Sequence, residues 1–232
     1  MENDEVALIY SGNALLISIE KYLVNYNQSI VDKFINEIRI GSDVLDFGAG
    51  IGTLASIVRR RAQAPICLEI DPGQAKVLRS RGFEVVTSLD EIADATLDVI
   101  YSSNVLEHIE DDISTLAKLR RKLRTGGKLC LYLPAFHCLY SSMDTSVGHF
   151  RRYTKTTLRG KLEEVGFENS SLSYADTFGF AMTFLFKLLK LKDGVNPTTL
   201  SIFDRYIFVI GQVAERVFDF PFGKNVIAIS KK

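Results

Sequence analysis

Three glycines and an aspartate near the start of the chain have the types and spacing of a nucleotide-binding loop. Residues 44–55 read VLDFGAGIGTLA: a short apolar run ends in Asp46, and Gly48, Gly50 and Gly52 follow at alternate positions. Glycine lacks a Cβ atom, so this loop can adopt positive φ and lie flat against a ligand. The apolar-periodic stretch beyond it would begin a helix with free backbone N–H groups. The pattern predicts strand, glycine loop and helix around a ligand.

Two familiar glycine loops fit this stretch poorly. A phosphate-binding loop would carry Gly-Lys-Ser/Thr, and no lysine is present here. A dinucleotide loop, G-x-G-x-x-G/A, can be placed on Gly50, Gly52 and Ala55, but its first glycine would then lie too far past the strand. A nicotinamide dehydrogenase is therefore the less favoured interpretation.

Glu69 follows the next predicted strand, in the string CLEIDP. A carboxylate at the end of that strand can accept hydrogen bonds from both hydroxyls of a ribose, because its two oxygens face two vicinal donors. Alternatively, the carboxylate is merely solvated. Asp71 is a second ribose candidate, but its position before Pro72 is more typical of a helix N-cap.

Groups that could move a proton lie in the strings SSNVLEHIED, residues 102–111, and GHFRRYT, residues 148–154. His149 can serve as a base near neutral pH, as can His108, whose alternative role is to fix its loop by a hydrogen bond. Glu107 is a weaker base candidate. The sequence leaves open which of the three acts.

Two arginines in the second string could bind a carboxylate or a phosphate group of a substrate. Alternatively, Arg151 or Arg152 forms a salt bridge with Asp144 and so holds the loop in place. We expect this structural role for at least one of the two.

Taken together, these segments resemble class I S-adenosylmethionine (SAM) methyltransferases, in particular bacterial small-molecule enzymes with an LEH string and a GHxRRYT loop. The resemblance covers residues 44–158 and implies SAM as the cofactor. It implies these cofactor contacts: Asp46, Gly48, Ala49, Gly50, Gly52, Glu69, Ile70, Ser88, Leu89 and Ser103. The candidate catalytic residues are His108, His149 and Glu107. The candidate substrate contacts are Tyr22, Tyr26, Arg151, Arg152 and Tyr153.

Some members of the resembled family hold a divalent metal with an E-x-x-E-H string. Here Asn104 replaces the first carboxylate. With one charge fewer, a hard cation such as Mg²⁺ would be held poorly. We therefore expect no metal, although His149 could add a ligand.

Strands and helices alternate from residue 43 onward, which is typical of a parallel sheet covered on both faces. The fold class is therefore α/β, and the resemblance implies a Rossmann-like, doubly wound seven-stranded sheet with the last strand antiparallel. Strands are predicted near 44–47, 66–70, 84–87, 97–101, 128–133, 169–174 and 226–230. Helices are predicted near 54–62, 73–81, 113–123 and 156–165.

Two helical additions flank this core. Residues 1–40 are predicted to form a helical cap, residues 41–174 the SAM-binding core, residues 175–224 an apolar helical insertion, and residues 225–232 the last core strand. The insertion carries Phe178, Phe180, Phe184 and Phe186, which are too large to leave in water. We expect it to wall an apolar acceptor pocket together with Tyr22 and Tyr26. A homodimer interface and a membrane surface are the alternatives, and the membrane is not favoured.

Composition narrows the classes of partner. Lys and Arg number 28 and so do Asp and Glu, so no overall basic field favours nucleic acid. The three cysteines show no C-x-x-C spacing, and a reduced, cytoplasmic compartment fits them best. The N-terminus has no basic region typical of a signal peptide.

The favoured function is methyl transfer from SAM to a small, largely apolar acceptor, with the methyl going to oxygen or nitrogen. One alternative is a catalytically silent SAM-fold partner subunit. Another is a methyltransferase acting on a macromolecule or a lipid-linked glycan.

Overall fold

A seven-stranded sheet organises the chain in the computed structural model, which describes residues 16–189, 197–218 and 220–232. The strands are β1 Val44–Phe47, β2 Ile66–Leu68, β3 Val85–Val86, β4 Leu97–Ser103, β5 Leu123–Pro134, β6 Glu168–Ala175 and β7 Asn225–Lys231. Their order is β3-β2-β1-β4-β5-β7-β6, and β7 runs antiparallel to both of its neighbours. The predicted Rossmann-like sheet with an antiparallel last strand is confirmed.

Helices connect the strands close to the predicted positions. They are α1 Val24–Asp32, α2 Thr53–Arg61, α3 Pro72–Ser80, α4 Asp112–Lys122, α5 Ser142–Ser146, α6 Lys155–Glu164, α7 Thr177–Leu188, α8 Pro197–Ile202 and α9 Phe208–Val217. The Asp71 carboxylate caps α3 by accepting a hydrogen bond from Gln74 N. Thr154 caps α6 in the same way, and Gly166 beyond that helix has φ +87°. The predicted N-cap at Asp71 is confirmed.

The N-terminal cap is less continuous than its apolar periodicity predicts. Residues 16–22 are helical, Leu23 departs from helical geometry, and α1 begins at Val24. The break has a distant cause. The carboxylate of Asp204 accepts hydrogen bonds from Asn25 N at 2.9 Å and Tyr26 N at 2.8 Å, so it satisfies the free N–H groups of a new helix start. Residues 1–15 of the predicted cap lie outside the described residues.

The insertion folds as helices against the cap and the sheet. A single π-helical stretch, Phe203–Ile207, joins α8 to α9 and carries the buried Asp204 that caps α1. Lys187 lies in the last turn of α7, and Lys190 and Lys192 lie outside the described residues. Among the residues the structure describes, no helix is both long enough and apolar enough to cross a lipid bilayer.

Apolar side chains fill both faces of the sheet. Alternate residues of a strand point to opposite faces. Accordingly, Leu45 and Ile100 belong to one buried cluster, while Val44 and Tyr101 belong to the other. The cap packs on the second face, where the Phe34 ring stacks on Tyr101 at a centroid distance of 4.7 Å. Strands β1–β4 run parallel, so their carboxyl ends form one edge of the sheet. The cap reaches this edge, where the Leu16 side chain lies beside Gly50.

Candidate active site

The glycine loop lies between the ends of β2 and β4. Gly48 and Ala49 donate their backbone N–H groups to Leu68 O at 2.9 and 3.0 Å. Gly48 has φ +78°, and a Cβ atom there would lie 2.3 Å from Cγ2 of Val105. Only glycine fits that position, because both the backbone conformation and the space exclude a side chain. The loop is thus held flat at the edge of the sheet, as the sequence predicts.

Glu69 points back at this loop from the end of β2. Its carboxylate is 7% exposed and accepts hydrogen bonds from Gly50 N at 2.8 Å and Asp71 N at 2.9 Å. Both oxygens therefore lie beside the glycine loop in a fixed orientation. The role of Glu69 with a ribose remains a prediction.

Asp46 is buried beneath the loop, where it is 2% exposed. Its carboxylate accepts a hydrogen bond from the Tyr101 hydroxyl at 2.9 Å. Burial raises the pKa of Asp46 to about 7, the Tyr101 hydrogen bond opposes that rise, and the nearby Glu69 charge adds to it. A carboxyl with this pKa changes its charge near neutral pH. A positively charged ligand nearby would favour its ionised form.

The remaining predicted cofactor contacts follow neighbouring strands. Ser88 and Leu89 come after β3, where the Ser88 hydroxyl accepts a hydrogen bond from Asp90 N and begins a short 3₁₀ turn. Ile70 follows β2 and is 77% exposed, and Ser103 ends β4. Because β3, β2, β1 and β4 are adjacent, the structure brings all these positions to the same edge of the sheet.

A histidine and a carboxylate form a pair between α5 and the GHFRRYT string. His149 Nδ1 lies 2.7 Å from Asp144 Oδ1. The Asp144 carboxylate is 2% exposed and also accepts hydrogen bonds from Arg152 Nε and Nη2 at 2.8 and 3.0 Å. These bonds lower the pKa of Asp144 against the effect of burial. A carboxylate in this position orients an imidazole so that its Nε2 atom is free to accept a proton.

Glu107 faces the other nitrogen of this histidine. It lies in the 3₁₀ turn Leu106–His108, and its Oε1 atom is 3.8 Å from His149 Nε2. The side chain is fully buried, and neither oxygen has a hydrogen-bond partner among the described residues. Burial raises the pKa of Glu107 to about 8. A buried carboxyl with unused oxygens is costly, so it marks a place where a polar ligand group would be favourable.

His108 stands beside the same pair. Its ring meets that of His149 edge to face, with centroids 4.5 Å apart. Burial and the neighbouring His149 lower the pKa of His108, so its neutral form dominates near pH 7. One ligand atom from each of Glu107, His108 and His149 lies within 4.8 Å of the others, so these three side chains form a potential metal-ligand set. The sequence predicts that no metal binds here, and this stays a prediction.

The two arginines and the tyrosine of the GHFRRYT string contact protein groups. Arg151 donates to Ile109 O and Glu110 O at 2.7 Å, and it lies 3.0 Å from Asp112. Tyr153 is 1% exposed, and its hydroxyl donates to Asp112 at 2.8 Å. With Arg152 bound to Asp144, all three side chains bond to groups of the protein itself and hold the loop in place. Their predicted contact with a substrate stays a prediction. The predicted salt bridge to Asp144 is present, on Arg152.

Tyr26 lies where the cap, β5 and the insertion meet. Its ring packs edge-on against Tyr132 and Phe208, and its hydroxyl accepts a hydrogen bond from Asn225 Nδ2 at 3.3 Å. Tyr22 lies instead beside the Lys21 ammonium group, which is 5.0 Å from the centre of its ring. The two tyrosines predicted as one wall therefore stand in different surroundings.

Sequence reasoning missed Asp144 as a member of the site. The sequence spacing could have indicated this role, because Asp144 lies only five residues before His149. Only a folded loop shows that one carboxylate serves both the histidine and an arginine. Val105, which limits the space at Gly48, carried no signal in the sequence.

Comparison with known proteins shows the family of the chain. Residues 19–172, more than half of the chain, match the methyltransferase domain family. A probable S-adenosylmethionine-dependent methyltransferase of Mycolicibacterium smegmatis is 30% identical over 135 residues, which is 55% of this chain and 52% of that protein. A ubiquinone biosynthesis O-methyltransferase of Xanthomonas oryzae is 30% identical over 101 residues, 39% of this chain and 42% of that one. The chain spans about half the length of the curated relatives it matches.

A solved structure supports the same fold. The SAM-dependent methyltransferase of Archaeoglobus fulgidus superimposes with a TM-score of 0.64 at 22% identity, over 94% of this chain and 99% of that one. The chain belongs to the methyltransferase domain family, and it is a class I SAM-dependent methyltransferase domain. Its cofactor is SAM, and the glycine loop with Asp46 and Glu69 offers the flat backbone and the carboxylates that fit a cationic nucleoside.

Cofactor affinity should depend on pH through Asp46. Below about pH 7 its carboxyl takes up a proton and no longer attracts the positive charges of SAM. We therefore expect the dissociation constant of SAM to rise by up to about tenfold per pH unit between about pH 7 and 5.5. Calorimetric titrations at several pH values measure this.

Two variants check the assignment. Asp46→Asn removes the titrating group and should give an affinity that is nearly independent of pH in this range. Tyr101→Phe removes a hydrogen bond that favours the charged form, so the transition should move to higher pH. A wild-type affinity that is flat with pH would contradict the assignment.

Proposed function

We propose that the protein is an active methyltransferase that transfers a methyl group to the oxygen or nitrogen of a small, largely apolar acceptor. The observation that carries this proposal is the Asp144–His149 hydrogen bond, with the free Nε2 atom facing the unpartnered Glu107 carboxyl. This arrangement provides a base beside a polar recess. A catalytically silent partner subunit has no need of it.

Each side chain has a task in the reaction. Bound SAM supplies a methyl group on a positively charged sulfur, and S-adenosylhomocysteine is the product that leaves. Nε2 of His149 accepts the proton that the attacking O–H or N–H group of the acceptor loses as its new bond to the methyl carbon forms. Asp144 stabilises the resulting imidazolium through Nδ1, and Arg152 keeps Asp144 in place. Glu107 orients the polar end of the acceptor through an oxygen that has no other partner.

The aromatic rings of the cap, β5 and the insertion support the proposed acceptor class. The Tyr26, Tyr132 and Phe208 rings pack together where the cap, β5 and the insertion meet. An acceptor with an apolar body could pack against these rings, and its one polar attacking group could face His149 and Glu107. The O-methyltransferases among the relatives are consistent with this class, and the net charge of zero gives no support to nucleic acid.

The test is a screen with radiolabelled SAM. Small phenols, carboxylic acids and amines, each with matched apolar bodies, are offered as acceptors, and their methylation is followed by chromatography. We expect transfer to one of these small-molecule classes. Label found only in protein, nucleic acid or glycolipid fractions would contradict the proposal, as would SAM binding without transfer to any acceptor.

Metal dependence is decided in the same assay. Pre-treatment with EDTA should leave the rate unchanged if His149 acts as a base. Loss of activity that Mg²⁺ or Zn²⁺ restores would instead assign Glu107, His108 and His149 to a metal. The two outcomes separate base catalysis from metal binding at the same residues.

A further inference from the structure

The insertion exposes an apolar stripe along its last helix. Tyr206, Ile210, Val213 and Val217 are 58, 61, 56 and 71% exposed. Their spacing of four, three and four residues places them on one face of the helix. Nothing in the described part of the chain covers this face, although an ordinary globular helix would bury it.

A second stripe lies on the neighbouring helix. In α7, Phe184, Leu185 and Leu188 are 45, 48 and 68% exposed. The two helices are in close contact, since a Cβ atom on Gly211 would lie 3.0 Å from the Phe178 ring. Together the exposed apolar side chains of the insertion present on the order of 1,000 Å². The largest apolar patch of a typical monomer is about 300–600 Å². An exposed apolar surface larger than this is typical of an interaction site.

Among the described residues, the exposed charged side chains of these helices are basic. The carboxylates of the segment 203–217 are Asp204 and Glu215, and both point inward: Asp204 caps α1, and Glu215 accepts a hydrogen bond from Thr177 N at 2.7 Å. Arg205 is exposed on the same segment, and Lys187 lies at the end of α7. Beyond the two helices the sequence carries both signs, with Lys190, Lys192 and Asp193 after α7 and Asp219 after α9, and all four lie outside the described residues.

We infer that the outer faces of α7 and α9 form a docking surface for a membrane that contains anionic lipid. Helices that lie at a membrane surface combine an apolar face with flanking basic residues, which meet acyl chains and negative headgroups respectively. A second copy of the chain fits less well. A two-fold axis through this surface would place an apolar patch rimmed by Lys187 and Arg205 against its own copy, and no exposed carboxylate of these helices would compensate.

The position of this surface relates it to the active site. The Lys187 ammonium group donates to Cys138 O and Tyr140 O at 2.8 and 2.6 Å. The segment it contacts leads directly into α5 and the loop that carries His149. Exposed Met143, Val147 and Phe150 lie in that same stretch of chain. A docked protein would thus hold its acceptor side near the lipid surface.

Vesicle flotation tests the inference without SAM or an acceptor, so its outcome is independent of the proposed function. The full chain is mixed with vesicles of phosphatidylcholine alone or with added phosphatidylglycerol. We expect binding to the anionic vesicles that is weakened by salt. The double variant Ile210→Asp/Val213→Asp should bind at least about tenfold more weakly, because each aspartate would have to enter the apolar boundary. Arg205→Gln should lose about fivefold, and only on anionic vesicles.

Ile40→Asp is the matched control. Ile40 is 91% exposed and lies outside the insertion, so its replacement should leave binding unchanged. Circular dichroism verifies that each variant is folded. Absence of flotation, or equal flotation with both vesicle types, would overturn the inference. So would a stable dimer in sedimentation that the Ile210→Asp/Val213→Asp variant separates, since that result would assign the surface to a second copy.

Discussion

Replacing His149 with alanine is expected to lower turnover by about 10²–10⁴-fold. The dissociation constant of SAM should stay nearly unchanged. The physical reason is that His149 Nε2 is the proposed proton acceptor. The predicted cofactor contacts lie elsewhere, in the glycine loop after β1 and at Glu69 after β2. Single-turnover kinetics with a responsive acceptor, together with calorimetry for SAM, measure the two quantities separately.

Asp144→Asn serves as the companion variant. It removes the negative charge that stabilises the imidazolium and leaves the shape of the side chain nearly intact. We expect a smaller loss of turnover than for His149→Ala, because the imidazole keeps a neighbour at the 2.7 Å contact but loses the charge that stabilises the imidazolium formed during transfer. Arg152→Ala should act in the same direction through Asp144.

Other outcomes would reassign these roles. If His149→Ala weakens SAM binding as much as turnover, the GHFRRYT loop closes over the cofactor. If turnover survives in His149→Ala and falls in His108→Ala, the base is His108. A purely structural role for Asp144 would lower the amount of folded protein and leave the turnover of the folded fraction unchanged.

Glu69→Ala should weaken SAM binding by about 10²–10⁴-fold, since it removes two charge-assisted hydrogen bonds worth about 1.5–3 kcal/mol each. Part of the loss would come from the loop itself, because Gly50 N and Asp71 N lose their acceptor. Calorimetry with SAM and with S-adenosylhomocysteine measures the effect. Binding of either compound should exceed that of NAD or ATP in the wild-type protein.

Asp71→Ala is the control for this prediction. Asp71 caps α3 through Gln74 N, so its loss should cost about 1 kcal/mol of stability and little cofactor affinity. Should the two substitutions have reversed effects on the dissociation constant, the ribose carboxylate would be Asp71 and the assignment at the end of β2 would be wrong by two residues.

Much of this protein follows from local sequence. The glycine loop, the N-caps at Asp71 and Thr154 and the glycine after α6 depend on residues within a few positions of one another. Backbone sterics and short hydrogen bonds decide such features, so the residue types suffice to predict them. Alternation of strands and helices then leaves few topologies, and the seven-stranded sheet is among them.

Tertiary structure decided the rest. Asp204 begins α1 from 178 residues away along the chain, and no local pattern could show that pairing. Asp144 joins Arg152 and His149, while Arg151 turns to Asp112, because each guanidinium reaches the carboxylate that the folded loop places nearest. The inward direction of Asp204 and Glu215 likewise left the insertion with an apolar, basic outer face. Such outcomes depend on how distant segments pack and on which rotamers that packing allows.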